Sequence, residues 1–215
     1  MSDIPAQCPL CNDQHIRHFF RDHRDYWQCG HCLLLFVEPS QQLAESDEKV
    51  RYDLHENDID NAGYCAFLGK LLEPLAERLP VGARGLDFGC GPGPTLSRLL
   101  EKKGFQVACY DKYFRPDADV LEQRYDFITS TEVLEHLRDP KSVINQLVNC
   151  LNPRAYLGIM TCLLPKQCDF AGWHYKRDPT HITFYSTETF EWIAEHWHLD
   201  LEILGKDVII LGRGN

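Results

Sequence analysis

Apolar and polar positions change period several times along the chain, and the changes mark out its elements. From Tyr64 the residues Phe67, Leu68, Leu71, Leu72 and Leu75 recur at helical spacing and stop near Pro80. Gly85-Leu86-Asp87-Phe88 is a short apolar strand that runs into three alternating glycines, Gly89, Gly91 and Gly93. The next helix carries Leu96, Leu99 and Leu100 on one side and Arg98, Glu101, Lys102 and Lys103 on the other. Pro94 suits its first turn and Gly104 its left-handed end. Residues 105–110 read as a second strand closing at Asp111, and 125–130 as a third apolar run. A helix over about 141–151, a strand over 155–161 and a helix over 187–197 follow. The pair 199–204 and 208–211 forms a hairpin through Gly205-Lys206. This alternation of strand and helix predicts an α/β fold with right-handed crossovers.

The first forty residues do not share this rhythm. Cys8-Pro9-Leu10-Cys11 and Cys29-Gly30-His31-Cys32 are two C-x2-C pairs with 17 residues between them. Two thiolates three apart can grip one ion, and a second pair completes a tetrahedral sulfur shell suited to Zn²⁺. The intervening Ile16, Phe19, Phe20, Tyr26 and Trp27 supply a few strands and a small apolar patch, so a structural zinc would provide folding energy. His31 reads as a bystander in the second knuckle. His15, Arg17, His18, Arg21, His23 and Arg24 suggest a recognition surface, but Asp13, Asp22 and Asp25 nearly neutralise it, which favours a structural clip. Between this segment and the α/β region lies an acidic stretch over 44–60. There Tyr52 and His55, with Tyr64 beyond it, read equally as a solvated connector or as a lid over a ligand site.

Composition narrows the function classes. The 215 residues are 44% hydrophobic and 25% charged, which excludes bulk disorder. The longest apolar runs are five residues, where a membrane span needs about 20. The start Met1-Ser2-Asp3-Ile4-Pro5 shows no basic region before an apolar stretch, so a cytoplasmic location is expected, and ten cysteines there point to metal rather than disulfides. The other six, Cys65, Cys90, Cys109, Cys150, Cys162 and Cys168, read as small buried hydrophobes. A net charge of −10 argues against a nucleic-acid partner.

The turn Asp87-Phe88-Gly89-Cys90-Gly91-Pro92-Gly93 reads D-x-G-x-G-x-G and resembles motif I of the class I S-adenosylmethionine-dependent methyltransferases. A dinucleotide fingerprint would need glycine at 94, where Pro stands. Tyr125-Asp126-Phe127-Ile128 followed by Leu134-Glu135-His136-Leu137 resembles the fourth-strand motif of the same family, with the second part expected as a helix. Leu151-Asn152-Pro153-Arg154-Ala155 keeps the family's next turn without its glycines. The resemblance covers about residues 82–213. It implies a seven-stranded Rossmann-like sheet ending in an antiparallel hairpin, preceded by a small zinc ribbon. The expected division is 1–40 for the ribbon, 41–80 for a helical connector or lid, and 81–215 for the methyltransferase domain. Tyr125 follows Asp111 by only 14 residues, so the third strand must be abbreviated around Val120 and Leu121, and adenine contacts within 112–124 stay unassigned.

What the resemblance implies for the site is specific. Asp87, Phe88, Gly89, Cys90, Gly91 and Gly93 would hold the methionine end of S-adenosylmethionine, Asp111 with Lys112 the ribose, and Thr131 and Glu132 would lie near the reacting face. Catalytic candidates are His136, His174, Asp178 and His181. Glu132, Glu135 and His136 form an E-x-x-E-H array like that of ubiquinone-biosynthesis O-methyltransferases, where it serves a divalent cation; helix capping and packing is the plainer reading here. The long connection over 162–186 suits an active-site loop, in which Asp178 could orient His181 or simply make a local turn. The expected activity is methyl transfer to a small polar metabolite or sugar-like acceptor, resembling also the front half of sugar C-methyltransferases. Rivals are an RNA methyltransferase that reads its substrate through the ribbon and a non-catalytic adaptor that kept the fold. Pro94 disfavours an oxidoreductase.

Overall fold

The computed structural model describes residues 5–53, 58–167 and 169–215. His55 and Cys168 lie outside them. Two sheets organise the chain. The smaller begins with β1 (Ile16–Arg21), β2 (Asp25–Cys29) and β3 (Leu35–Val37). Two helices follow, α1 (Glu45–Tyr52) and α2 (Ala62–Ala76), the second N-capped by the Asn61 side chain, which accepts from the Tyr64 N–H. The larger sheet is then laid down by β4 (Arg84–Phe88), α3 (Thr95–Lys102), β5 (Gln106–Tyr110), β6 (Tyr125–Thr131), α4 (Pro140–Asn149) and β7 (Leu151–Met160). After a long connection come β8 (Thr183–Phe184), α5 (Thr187–Trp197), β9 (Leu199–Leu204) and β10 (Val208–Arg213).

The large sheet runs β5-β4-β6-β7-β10-β9, the first four strands parallel and β10 antiparallel to both its neighbours, β7 and β9. Apolar side chains cover both of its faces, as parallel strands require. From one side Leu68, Leu71, Leu72 and Leu75 of α2 and Leu96 and Leu100 of α3 pack against Phe127, Met160 and Ile210. From the other, Ile144 and Leu147 of α4 and Phe190 and Ile193 of α5 pack with Ile128, Leu157 and Ile209. Each fully buried Leu or Ile contributes about 1.5–3 kcal/mol. Among the described residues no helix is long and apolar enough to cross a membrane.

The expected seven strands are six among the described residues. Residues Ala118–Glu122 form a 3-10 helix instead of an edge strand, with Val120 and Leu121 half-buried against the core. The cause is length. The segment after Asp111 must turn back through the Asp111–Arg115 bridge, which leaves too few residues for both a crossover helix and a strand. The expected helix over 131–137 is also absent. β6 extends through Thr131, Glu132 takes a left-handed φ of 53°, and only Leu134–His136 form a 3-10 turn.

The small sheet has the order β1-β2-β3-β8, so its fourth strand comes from the far end of the long connection. Its core is not separate either. Cys8, Leu10, Trp27, Cys29, Leu34 and Phe36 belong to the same apolar cluster as Leu86, Phe88 and Ile128 of the large sheet.

Candidate active site

The ends of the parallel strands open into a cavity of about 640 Å³, within the range of small-molecule sites. The glycine turn forms one wall. Gly89 and Gly91 have φ of 77° and 65°, where an L side chain is strained, and a Cβ on Gly89 would stand 2.3 Å from a Val133 methyl. The N–H groups of Gly89 and Cys90 donate to the Tyr110 carbonyl, at 2.8 and 3.2 Å, which ties the turn to β5. Asp87 sits beneath it, buried, and accepts from the Ser97 hydroxyl at 2.7 Å and the Thr129 hydroxyl at 2.9 Å; burial pushes its carboxyl up. Just past β5, Asp111 accepts from Gly91 N at 3.0 Å through Oδ2 and from Tyr113 and Phe114 N–H groups through Oδ1. Three donors leave Oδ2 with capacity for a ligand hydroxyl.

The opposite wall is acid, histidine and tyrosine. Glu135 is fully buried and accepts from the Tyr175 hydroxyl at 2.5 Å and the Thr161 hydroxyl at 3.0 Å. Burial and the nearby Glu135 push Glu132 up to about 8, so it holds a proton at neutral pH. His181 is 9% exposed, and burial lowers its pKa, which keeps the ring neutral. Its Nδ1 lies 2.7 Å from the Tyr175 carbonyl oxygen. A carbonyl only accepts, so Nδ1 carries the proton and Nε2 keeps its lone pair. His136 likewise donates from Nδ1 to the Thr180 carbonyl at 3.1 Å, and its Nε2 lies 4.0 Å from a Glu135 oxygen. The two rings are 4.8 Å apart, edge to face.

α1 closes the rim. Glu45 pairs with Lys112 at 2.7 Å, Glu48 pairs with Arg138, and Arg138 also donates to Gln42. The Tyr52 ring lies 5.3 Å from His136 and 5.7 Å from Tyr113.

Most of the residues expected from sequence meet here. Asp87, Phe88, Gly89, Cys90, Gly91, Gly93, Asp111, Lys112, Thr131, Glu132, His136, Asp178 and His181 all line the cavity, as do Tyr52 and Tyr64. His174 does not: it is exposed at the start of a 3-10 helix, turned to solvent while its neighbour Tyr175 is buried. Asp178 does not orient His181. Its carboxylate accepts from the Thr180 N–H and hydroxyl, at 2.8 and 2.6 Å, and the Tyr175 carbonyl takes the orienting role instead. The expected helical E-x-x-E-H face is replaced by a turn. Glu135, His136 and His181 do offer ligand atoms within 4.8 Å of one another. Both Glu135 oxygens and both Nδ1 atoms have hydrogen-bond partners, which leaves the Nε2 atoms as the nitrogens that could reach an ion. Sequence reading missed Tyr113, Phe114 and Arg138. Only the place of Tyr113 and Phe114 in the shortened segment could have flagged them.

Outside the cavity lining, the sulfurs of Cys8 and Cys32 lie 3.5 Å apart and those of Cys11 and Cys29 3.4 Å, all four within 4.8 Å. Four thiolates about 2.3 Å from one ion would be about 3.8 Å from each other, close to this arrangement. N–H groups of Leu10 and His31 point at Cys8 and Cys29 sulfurs, while the His31 ring packs on Trp192.

A glycine turn after the first parallel strand, a carboxylate after the second and a terminal antiparallel hairpin define a methyltransferase-type α/β protein. The family model "Methyltransferase domain" matches residues 58–203, and the chain belongs to that family. Among curated relatives, the ubiquinone biosynthesis O-methyltransferase of Serratia proteamaculans is 31% identical over 93 residues, 43% of this chain and 38% of that protein. The Xanthomonas axonopodis pv. citri protein of the same name is 31% identical over 115 residues, 42% of this chain and 48% of its own. The chain thus spans less than half the length of these relatives. Among solved structures, the Burkholderia thailandensis 1,6-didemethyltoxoflavin-N1-methyltransferase, with bound 1,6-didemethyltoxoflavin and S-adenosylhomocysteine, superposes with a TM-score of 0.54 at 14% identity, covering 92% of this chain and 99% of that one. Streptomyces venezuelae DesVI gives 0.53 at 15%, covering 81% and 100%. These two share the fold.

Proposed function

We propose that this chain transfers a methyl group from S-adenosylmethionine to a hydroxyl of a small polar metabolite or sugar-like acceptor. The observation that carries the reading is one cavity with a glycine turn and Asp111 on one wall and two histidines on the other, His181 neutral and both donating from Nδ1 to a backbone carbonyl. The donor set suits that cofactor: a glycine turn that departs from the dinucleotide fingerprint at Pro94, and a carboxylate with spare acceptor capacity for ribose. Asp87, Phe88, Gly89, Cys90, Gly91 and Gly93 would hold its amino-acid end, with Asp111 and Lys112 at the ribose and Tyr113 and Phe114 offering rings for the base. When bound, it supplies an electrophilic methyl group on a sulfonium.

The chain's own part is to bring an acceptor hydroxyl into line and take its proton. His181, neutral with Nε2 unprotonated, is the base, and the His136 ring packs edge to face against it. Thr131 and Glu132 lie near the reacting face, Glu132 as a neutral donor at pH 7. Tyr52 and the ion pairs of α1 keep water from the reacting atoms, which favours transfer over hydrolysis. Cys8, Cys11, Cys29 and Cys32 hold a structural zinc. We read residues 1–40 as the ribbon, 41–80 as the connector and lid, and 81–215 as the transferase domain.

The test is transfer of labelled methyl from S-adenosylmethionine into a cell extract, counted separately in small molecules and RNA. Label in the small-molecule pool that falls by about 10²–10⁴-fold in His181→Gln supports the reading. Label in RNA, or none anywhere, contradicts it.

A further inference from the structure

Arg24 directly precedes β2 and is 5% exposed, an unusual burial for a guanidinium. It does not face the acids of its own segment. Nη1 donates to the carbonyls of Pro179 at 3.0 Å and His181 at 3.3 Å. Nη2 donates to Lys176 O at 2.7 Å, Asp178 O at 3.4 Å and the Tyr26 hydroxyl at 3.1 Å. Its Nε–H alone lacks an acceptor. One planar fork therefore gathers four carbonyls of the stretch 176–181. A flexible ammonium could not reproduce that spread. Lys176, also 5% exposed, pairs with Asp22, and its ammonium sits 5.3 Å from the Phe20 ring centre and 5.7 Å from that of Phe170.

Two neighbouring carbonyls receive the cavity histidines: Tyr175 O takes the His181 Nδ1–H and Thr180 O the His136 Nδ1–H. Each carbonyl that sets a tautomer is thus followed directly by one that Arg24 holds, Lys176 O and His181 O.

We propose that Arg24 is a positioning residue for the active site. By fixing the 175–181 backbone it sets Nδ1 as the protonated nitrogen of His136 and His181, and so makes the N-terminal cysteine-bearing segment part of the catalytic machinery. The catalytic meaning rests on the methyl-transfer reading above; the tautomers do not, and can be measured with no acceptor present.

The experiment is imidazole ¹⁵N NMR on the full, zinc-replete chain above pH 7.5, with S-adenosylhomocysteine affinity measured in parallel. Wild type is expected to show Nδ1–H at both histidines. In Arg24→Ala the ratio of Nδ1–H to Nε2–H should fall about tenfold at each ring, the weight of one hydrogen bond. Added ethylguanidinium should restore it, whereas Arg24→Lys should not. Arg17→Ala, an exposed charge in the same segment, should change nothing. S-adenosylhomocysteine affinity should stay within about threefold throughout, since the glycine turn is untouched. Unchanged tautomers in Arg24→Ala overturn the proposal. Should that variant not fold, unchanged tautomers in Arg24→Lys overturn it equally. A chain that fails to bind S-adenosylhomocysteine but shows the tautomer shift contradicts the cofactor reading alone.

Discussion

Glu132 shows how burial sets the acid–base state of a residue the cavity needs. Its folded pKa of about 8 is above the ordinary 4.5, so the folded chain keeps a proton that the unfolded chain has lost. The stability from this group is complete below about pH 4.5 and is gone above about pH 8. Melting temperatures at pH 5 and pH 9 should therefore differ more in wild type than in Glu132→Gln; equal slopes would refute the assignment. His181 works in the other direction. Its lowered pKa makes its share of stability complete above about 6.5, and that share is lost as pH falls through the folded value. At Gly89, a methyl would meet Val133 at 2.3 Å in a left-handed backbone, so Gly89→Ala should lower stability by at least about 1–2 kcal/mol and abolish S-adenosylhomocysteine binding. Gly104→Ala, also left-handed at φ 93° but in open space, should cost only the backbone term and keep binding. Denaturant melts with and without ligand separate the two. These residue types were legible in sequence. The orienting partner of His181 was not, because a backbone carbonyl leaves no trace in side-chain identity. Arg24 reads in sequence as one of six charges in a nearly neutral cluster, and only the fold reveals that it is buried.

At the scale of elements, periodicity located the strands and helices well, because the core faces alternate or recur regularly. α5 and β9 fall where the pattern places them and α4 within two residues, while α2 ends at Ala76, four residues before Pro80. The failures lie where tertiary demand overrides local pattern. Leu134-Glu135-His136-Leu137 looks helical, yet β6 runs on and Glu132 turns left-handed, which aims Glu135 inward at Tyr175 and Thr161. The segment after Asp111 was legibly short, but its path is set by local hydrogen bonds: Asp111 accepts from the Tyr113 and Phe114 N–H groups beside the bridge to Arg115, and Asp117 caps the 3-10 helix over Ala118–Glu122. Asp111→Ala releases those donors together. It should weaken S-adenosylhomocysteine by at least tenfold, since the variant loses the proposed ribose acceptor and the brace of the glycine turn at once. Isothermal calorimetry would show it; affinity within threefold of wild type would remove Asp111 from the site.

For the whole molecule, the main point hidden from the sequence is how the cysteine-bearing segment joins the rest. A C-x2-C pair twice over suggests an appended module, whereas β8 completes its sheet from residues 183–184 and its apolar residues merge with the core of the large sheet. Loss of metal should therefore destabilise the whole chain rather than one end. One zinc per chain is expected by elemental analysis of zinc-replete protein. Cys29→Ser should release it and lower the single melting transition by at least about 5 °C. Two separate transitions, with the cavity unaffected, would show that the segment folds independently.

The central claim is that the glycine-turn cavity binds the methyl donor, and calorimetric titration of the zinc-replete chain with S-adenosylhomocysteine, beside NADH, tests it most directly. The expected result is one saturable site per chain for S-adenosylhomocysteine, lost in Gly89→Ala, and no heat of binding with NADH. No binding of S-adenosylhomocysteine, or saturable binding of NADH at that site, would contradict the account.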